Sequence, residues 1–212
     1  MPTTTPLETI APAALPPCSG DIEAPSPFVI FERWFQHAAL SQHINDPRAA
    51  NLATVSNEGQ PSSRTITVSE NYDESFIFYT HVDSQKSRDL GANPKTALCY
   101  HWEPIEKQIR IAGIVTAFTA EEADTFFAAL PRQTQMNAWT SDQAKQLDPE
   151  ISLEQSIIHR NGRFPNGKIP RPYFWSGFRL KANYIEFWES GNFRIHRRTG
   201  YQRTSANTWS AL

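Results

Sequence analysis

From Ser26 onward, two hydrophobic periods alternate along the chain, and each change of period marks an element. "SPFVIFERWFQHAALSQHI" places Phe28, Phe31, Trp34, Phe35 and Ala38 on one face, which predicts an amphipathic helix. "ANLATVS" and "EGQPSSRTITVSE" read as a hairpin turning at Asn57-Glu58-Gly59, and "ESFIFYT" as a third strand. A short polar helix follows, beginning near Ser84 and stopped by Gly91 and Asn93-Pro94. "KTALCYHW" and "KQIRIAGIVTAF" predict a second antiparallel pair around Glu103-Pro104. Thr119 and Glu122 have capping-box spacing ahead of "AEEADTFFAAL", a helix that Pro131 ends, and Ser152 and Gln155 repeat the signature before "LEQSIIHRN". "FWSGFRLKA", "YIEFWESG" and "FRIHRRTG" predict three consecutive strands, with Tyr201-Gln202-Arg203 to Trp209 closing the edge. Strands in runs with helices between them predict an α+β fold: a small antiparallel barrel with peripheral helices.

Composition changes this picture at the two ends of the chain. Residues 1–27 hold seven of the sixteen prolines and no Lys or Arg, so they read as an extended tail ahead of one domain over 28–212. The tail lacks the basic start and apolar middle of a signal peptide, no apolar run is long enough to span a membrane, and the expected location is cytoplasmic. Cys18 and Cys99 make no disulfide framework. Net charge is -2, yet residues 160–203 carry ten Lys/Arg against Glu186 and Glu189. These positive residues are interleaved with strand-forming aromatics, a pattern that favours an anion pocket over a nucleic-acid groove or a polybasic membrane contact.

The residues around the short polar helix raise a chemical question. Thr80, Ser84, Gln85, Lys86 and Ser87 gather where its free N–H groups and partial positive charge begin. They read either as an N-cap with solvated neighbours or as a phosphate site. Strand alternation puts Arg194, His196 and Arg198 on one side of a single strand, where they suit an anion or cofactor better than a core. The chain has no dinucleotide fingerprint, no phosphate loop, no hydrolase elbow and no histidine spacing for a metal.

Taken together, "SRTITVSE", "FIFYTHVDSQKSRDLGANPKTALCYHW", "EKQIRIAG", "LPRQTQMNAW" and "PRPYFWSGFRLKANYIEFWESGNFRIHRRTGYQR" resemble the pyridoxine 5'-phosphate oxidase family of FMN enzymes. The resemblance covers residues 28–212 and implies a homodimeric split β-barrel with FMN bound between the subunits. It implies that Arg64, Thr65, Tyr79 and Thr80 line the flavin and that Gln85 and Lys86 face its phosphate. The family usually has arginine where this chain has Gln85. Gln108 is expected at the ring, with Gln143, Trp188 and Arg198 coming from the facing subunit.

The resemblance also implies a substrate site, and here the chain departs from the family. The lysine, tyrosine, arginine and serine that hold the substrate phosphate in the vitamin B6 enzymes correspond to Ser69, Phe126, Leu130 and Thr134. Arg194 and His196, which contact substrate in the family, are retained as the catalytic pair. Loss of two cationic partners costs about 3–6 kcal/mol, or on the order of 10² to 10⁴ in affinity. The pattern is therefore similar to the flavin oxidases of phenazine biosynthesis. The implied reaction aromatises a partly reduced phenazine carboxylate, with hydride passing to flavin and dioxygen becoming hydrogen peroxide. Two rival expectations are a pyridoxine 5'-phosphate oxidase with re-sited phosphate contacts and a flavin-binding barrel without turnover.

Overall fold

The structure, a computed structural model, describes residues 26–72, 74–139, 164, 167–191, 195–205 and 208–212. Among these residues the chain forms eight antiparallel strands: β1 (Ala49–Val55), β2 (Pro61–Tyr72), β3 (Ser75–His81), β4 (Lys95–Trp102), β5 (Lys107–Ala117), β6 (Trp175–Glu189), β7 (Arg197–Arg203) and β8 (Trp209–Ala211). Their order is β3-β2-β1-β4-β5-β6-β7-β8, and a further β3–β6 pairing closes the first six into a barrel.

β6 corrects the sequence reading. The two short strands expected there are one strand of 15 residues. β5 pairs along it from Lys107↔Glu189 to Ala117↔Phe178, and the register slips once, at Ala112/Gly113 opposite Ala182–Tyr184. The apparent break is thus a β-bulge. On its other side, β6 pairs with β3 through Lys181 and with β7 from Tyr184 onward, so the barrel splits at the bulge. Gly113 makes this close approach possible, because a Cβ there would lie 2.1 Å from the Lys181 carbonyl oxygen. Gly113→Ala is expected to destabilise the fold by about 1–3 kcal/mol in urea denaturation, and unchanged stability would show that the bulge tolerates a side chain.

A second correction concerns "FRIHRRTG". The strand begins only at Arg197, so His196 precedes it and the expected alternation does not carry His196 and Arg198 on one strand. Gly191 lies against Ile195, where a Cβ on the glycine would sit 1.9 Å from the Ile195 carbonyl oxygen.

Inward positions of the strands, including Leu52, Leu98, Ile109, Ile111, Leu180 and Ile185, are fully buried and fill the barrel. Helix α1 (Pro27–Leu40) is capped by Ser26 and packs Phe31 edge-on against Phe76 and Tyr100. Helix α2 (Gln85–Ala92) has the expected Ser84 cap and buries Ser87, Asp89 and Leu90. Helix α3 (Ala120–Ala129) forms the anticipated capping box and covers a second apolar cluster around Phe118, Phe127, Phe174 and Trp175. Pro131 ends that helix but also caps α4 (Arg132–Ala138), which the sequence reading did not include. The expected helix near Ser152 and most of the proline-rich tail lie outside the described residues. Among the described residues, no helix is long and apolar enough to cross a membrane.

Candidate active site

At one end of the barrel, β2, β3 and α2 bring two cations toward each other. The Lys86 ammonium donates to Thr80 Oγ1 at 3.1 Å, within a cluster of hydroxyls. Thr80 Oγ1 and Ser84 Oγ are 3.4 Å apart, Ser84 Oγ and Ser87 Oγ are 3.0 Å apart, and Ser87 Oγ donates to the His81 carbonyl at 2.8 Å. Burial, and then the Arg64 guanidinium nearby, hold Lys86 below the usual lysine range. A half-buried cation depressed by a second cation is a site that an anion relieves. With the α2 N-terminus beside it, this donor set fits a phosphate monoester such as that of FMN. Gln85 opens α2 and is exposed.

The outer face of the sheet gathers a second group. His101, Gln108, Trp188 and Arg198 occupy one cross-strand row from β4 to β7. The His196 ring lies 4.9 Å from Trp188. The neighbouring row runs Thr65, Asn51, Cys99, Arg110, Glu186, Gly200, so Thr65 lies on this outer face while Arg64 points the other way. Arg110 and Tyr184 both contact Glu186, at 3.3 and 3.1 Å. Burial, followed by the Glu186 carboxylate, raises the Tyr184 phenol. Among the described residues, no side-chain contact joins this row to the Arg64–Lys86 cradle.

A third group is aromatic. Tyr79 stacks on Trp175 at 4.7 Å and lies 6.4 Å from Phe126, which stacks on Phe118 at 4.8 Å. Leu130 and Trp139 pack against the same cluster. Two arginines beside it are already paired: Arg171 with Asp124 at 2.6 Å, and Arg179 with Glu122 at 3.2 Å. Thr134 is exposed on α4. Ser69 stands at the β2 bulge and lines a separate cavity with Phe31, Glu32, Phe35 and Arg48. Gln143 and Arg194 lie outside the described residues. Sequence reasoning missed Ser62, Thr54 and Asp89, which hold Arg64; the only signal was a carboxylate three residues after Lys86 on a short helix.

Comparison with known proteins agrees with this architecture. The family model described as pyridoxamine 5'-phosphate oxidase matches residues 36–160, and that of the pyridoxine 5'-phosphate oxidase C-terminal dimerisation region matches residues 175–211. A pyridoxine/pyridoxamine 5'-phosphate oxidase of Rhodopseudomonas palustris is 42% identical over 193 residues, 90% of this chain and 91% of that protein. One of Bradyrhizobium diazoefficiens is 43% identical over 197 residues, 92% of each. Among solved structures, PhzG from Burkholderia lata, in complex with tetrahydrophenazine-1-carboxylic acid, superposes with a TM-score of 0.72 at 27% identity, covering 91% of this chain and 96% of that one. With its split barrel and its C-terminal dimerisation region, the chain belongs to the pyridoxamine 5'-phosphate oxidase family of FMN-binding oxidoreductases.

Proposed function

We propose that this protein is a homodimeric, FMN-dependent oxidase acting on a partly reduced aromatic carboxylate of the phenazine type. Two electrons and two protons leave the substrate, and dioxygen is reduced to hydrogen peroxide. The observation that carries the reading is the apolar packing of Phe126 and Leu130 with their aromatic neighbours, beside cations already committed to Asp124 and Glu122. Phe126 and Leu130 offer a substrate phosphate dianion neither a cation nor a phenol, whereas apolar side chains favour contact with a flat ring system. The PhzG complex with a tetrahydrophenazine carboxylic acid supports the same substrate class.

When bound, FMN supplies the hydride acceptor. Arg64 and Lys86 hold its phosphate, with Thr80 Oγ1 fixing the lysine. Gln108 would offer an amide to the flavin, which Thr65 and Tyr79 would line. The partner protomer contributes Trp188, Arg198 and Gln143. Trp188 presents an apolar wall that excludes water, and His196 beside it handles a proton at a ring nitrogen. Arg194 is assigned the substrate carboxylate, which orients the ring to be oxidised.

One reading competes. The relatives at 42 and 43% identity are named pyridoxine/pyridoxamine 5'-phosphate oxidases, which favours that activity for this chain. The packing at Phe126 and Leu130 stands against it. The experiment is oxygen uptake by the FMN-loaded protein on adding a tetrahydrophenazine carboxylate. Uptake with equimolar hydrogen peroxide is expected. No uptake with this substrate, in protein carrying full flavin, sinks the proposal.

A further inference from the structure

We propose that Thr54 and Asp89 are positioning residues for Arg64, forming a buried relay that aims its guanidinium at the cofactor phosphate. The inference rests on the reading of the cradle as an FMN site. Thr54 Oγ1 donates to Asp89 Oδ2 at 2.7 Å and accepts from Arg64 Nη1, also at 2.7 Å. Thr54 is 1% exposed and Asp89 6%, so neither was placed there to meet solvent. A guanidinium only donates, so Thr54 turns its lone pairs toward Arg64 and its single hydroxyl hydrogen goes to Asp89. The direction of the relay is therefore fixed.

The rest of the guanidinium is held in the same way. Nη1 also donates to the Leu52 carbonyl at 3.3 Å, and Nη2 donates to Ser62 Oγ at 2.7 Å. Of the five N–H donors, three are engaged. The Nε–H and the second Nη2–H remain for an oxyanion. A free arginine loses much rotamer entropy on meeting a ligand, whereas this one is ordered beforehand. Asp89 also stands one helical turn after Lys86 on α2, so the relay links the placement of both cations. Its Oδ2 lies 3.9 Å from Arg64 Nη2, and the cradle thus gives up some positive charge in exchange for orientation.

A double-mutant cycle tests this, with FMN affinity read from quenching of flavin fluorescence. T54V and T54A are each measured in the wild-type and R64A backgrounds, and T54S in the wild type. In the wild type, T54V and T54A are expected to weaken FMN about tenfold, and T54S by less than about twofold. In R64A, loss of the hydroxyl is expected to change affinity by less than about twofold, because the relay has nothing left to aim. Equal losses in both backgrounds would mean that Thr54 acts through general stability, and no loss in the wild type would mean that it does not act; either overturns the proposal. An R64A protein with unchanged FMN affinity would overturn the cradle reading itself, and the relay with it.

Discussion

Replacing Arg64 and Lys86 together by alanine is expected to weaken FMN binding by about 10²- to 10⁴-fold. Each charge-assisted hydrogen bond to a phosphate contributes about 1.5–3 kcal/mol, so each single variant should lose about 10- to 10²-fold. After burial, the Arg64 guanidinium adds to the lowering of the Lys86 pKa, so the two cations would act on the same phosphate. Flavin fluorescence titration is the measurement, and a double variant within tenfold of wild type would move the phosphate elsewhere. The same lysine sets a pH dependence. Its pKa is lowered in the cofactor-free fold and rises again when an anion binds, so FMN affinity should fall as pH rises between those two values. Stability of the cofactor-free protein should move the opposite way. Between the lowered folded value and 10.5 the unfolded chain binds more protons, so stability rises with pH there. R64A should shrink this rise, because Arg64 is the second cause of the shift after burial.

The other large effect is in substrate choice. With equal flavin loading, kcat/KM for a tetrahydrophenazine carboxylate should exceed that for pyridoxine 5'-phosphate by about 10²- to 10⁴-fold, the loss expected from two missing cationic partners. Phe126 and Leu130 are built into an apolar cluster with Phe118, Tyr79 and Trp175, and neither side chain offers a phosphate dianion a partner to offset its desolvation. The pocket should be reversible in part. F126Y with L130R restores a phenol and a cation, and should raise pyridoxine 5'-phosphate turnover by about 10- to 10²-fold while lowering that of the carboxylate. If the unaltered protein already prefers pyridoxine 5'-phosphate, the activity named for its relatives is the correct one.

Much of this was legible because it is local. The α1 face, the β1–β2 hairpin and the Thr119–Glu122 capping box are set by residues within a few positions of each other. The gathering at the start of α2 was visible for the same reason, since Thr80, Ser84 and Lys86 stand around one helix start. What stayed hidden depends on distance or on doubled roles. Thr54 and Asp89 are 35 residues apart and meet only when α2 seats on the barrel end. Pro131 reads as a stop for α3 and serves equally as the cap of α4. The bulge opposite Gly113 looks like a chain break until β5 is laid along β6. His196 fits a strand pattern, but Ile195 lies against Gly191 and the strand begins at Arg197.

The claim beneath these expectations is that each flavin site is completed by two protomers, with Arg64, Lys86 and Gln108 from one and Trp188 and Arg198 from the other. Subunit mixing tests it most directly. R64A/K86A protein is combined with R198A protein under conditions that exchange subunits, and bound FMN is counted. Each variant alone should hold FMN poorly. In a mixed dimer one site receives both defects and the other receives none, so an equimolar mixture should regain about one quarter of the wild-type high-affinity sites. Failure of the mixture to regain any high-affinity site would contradict the shared site.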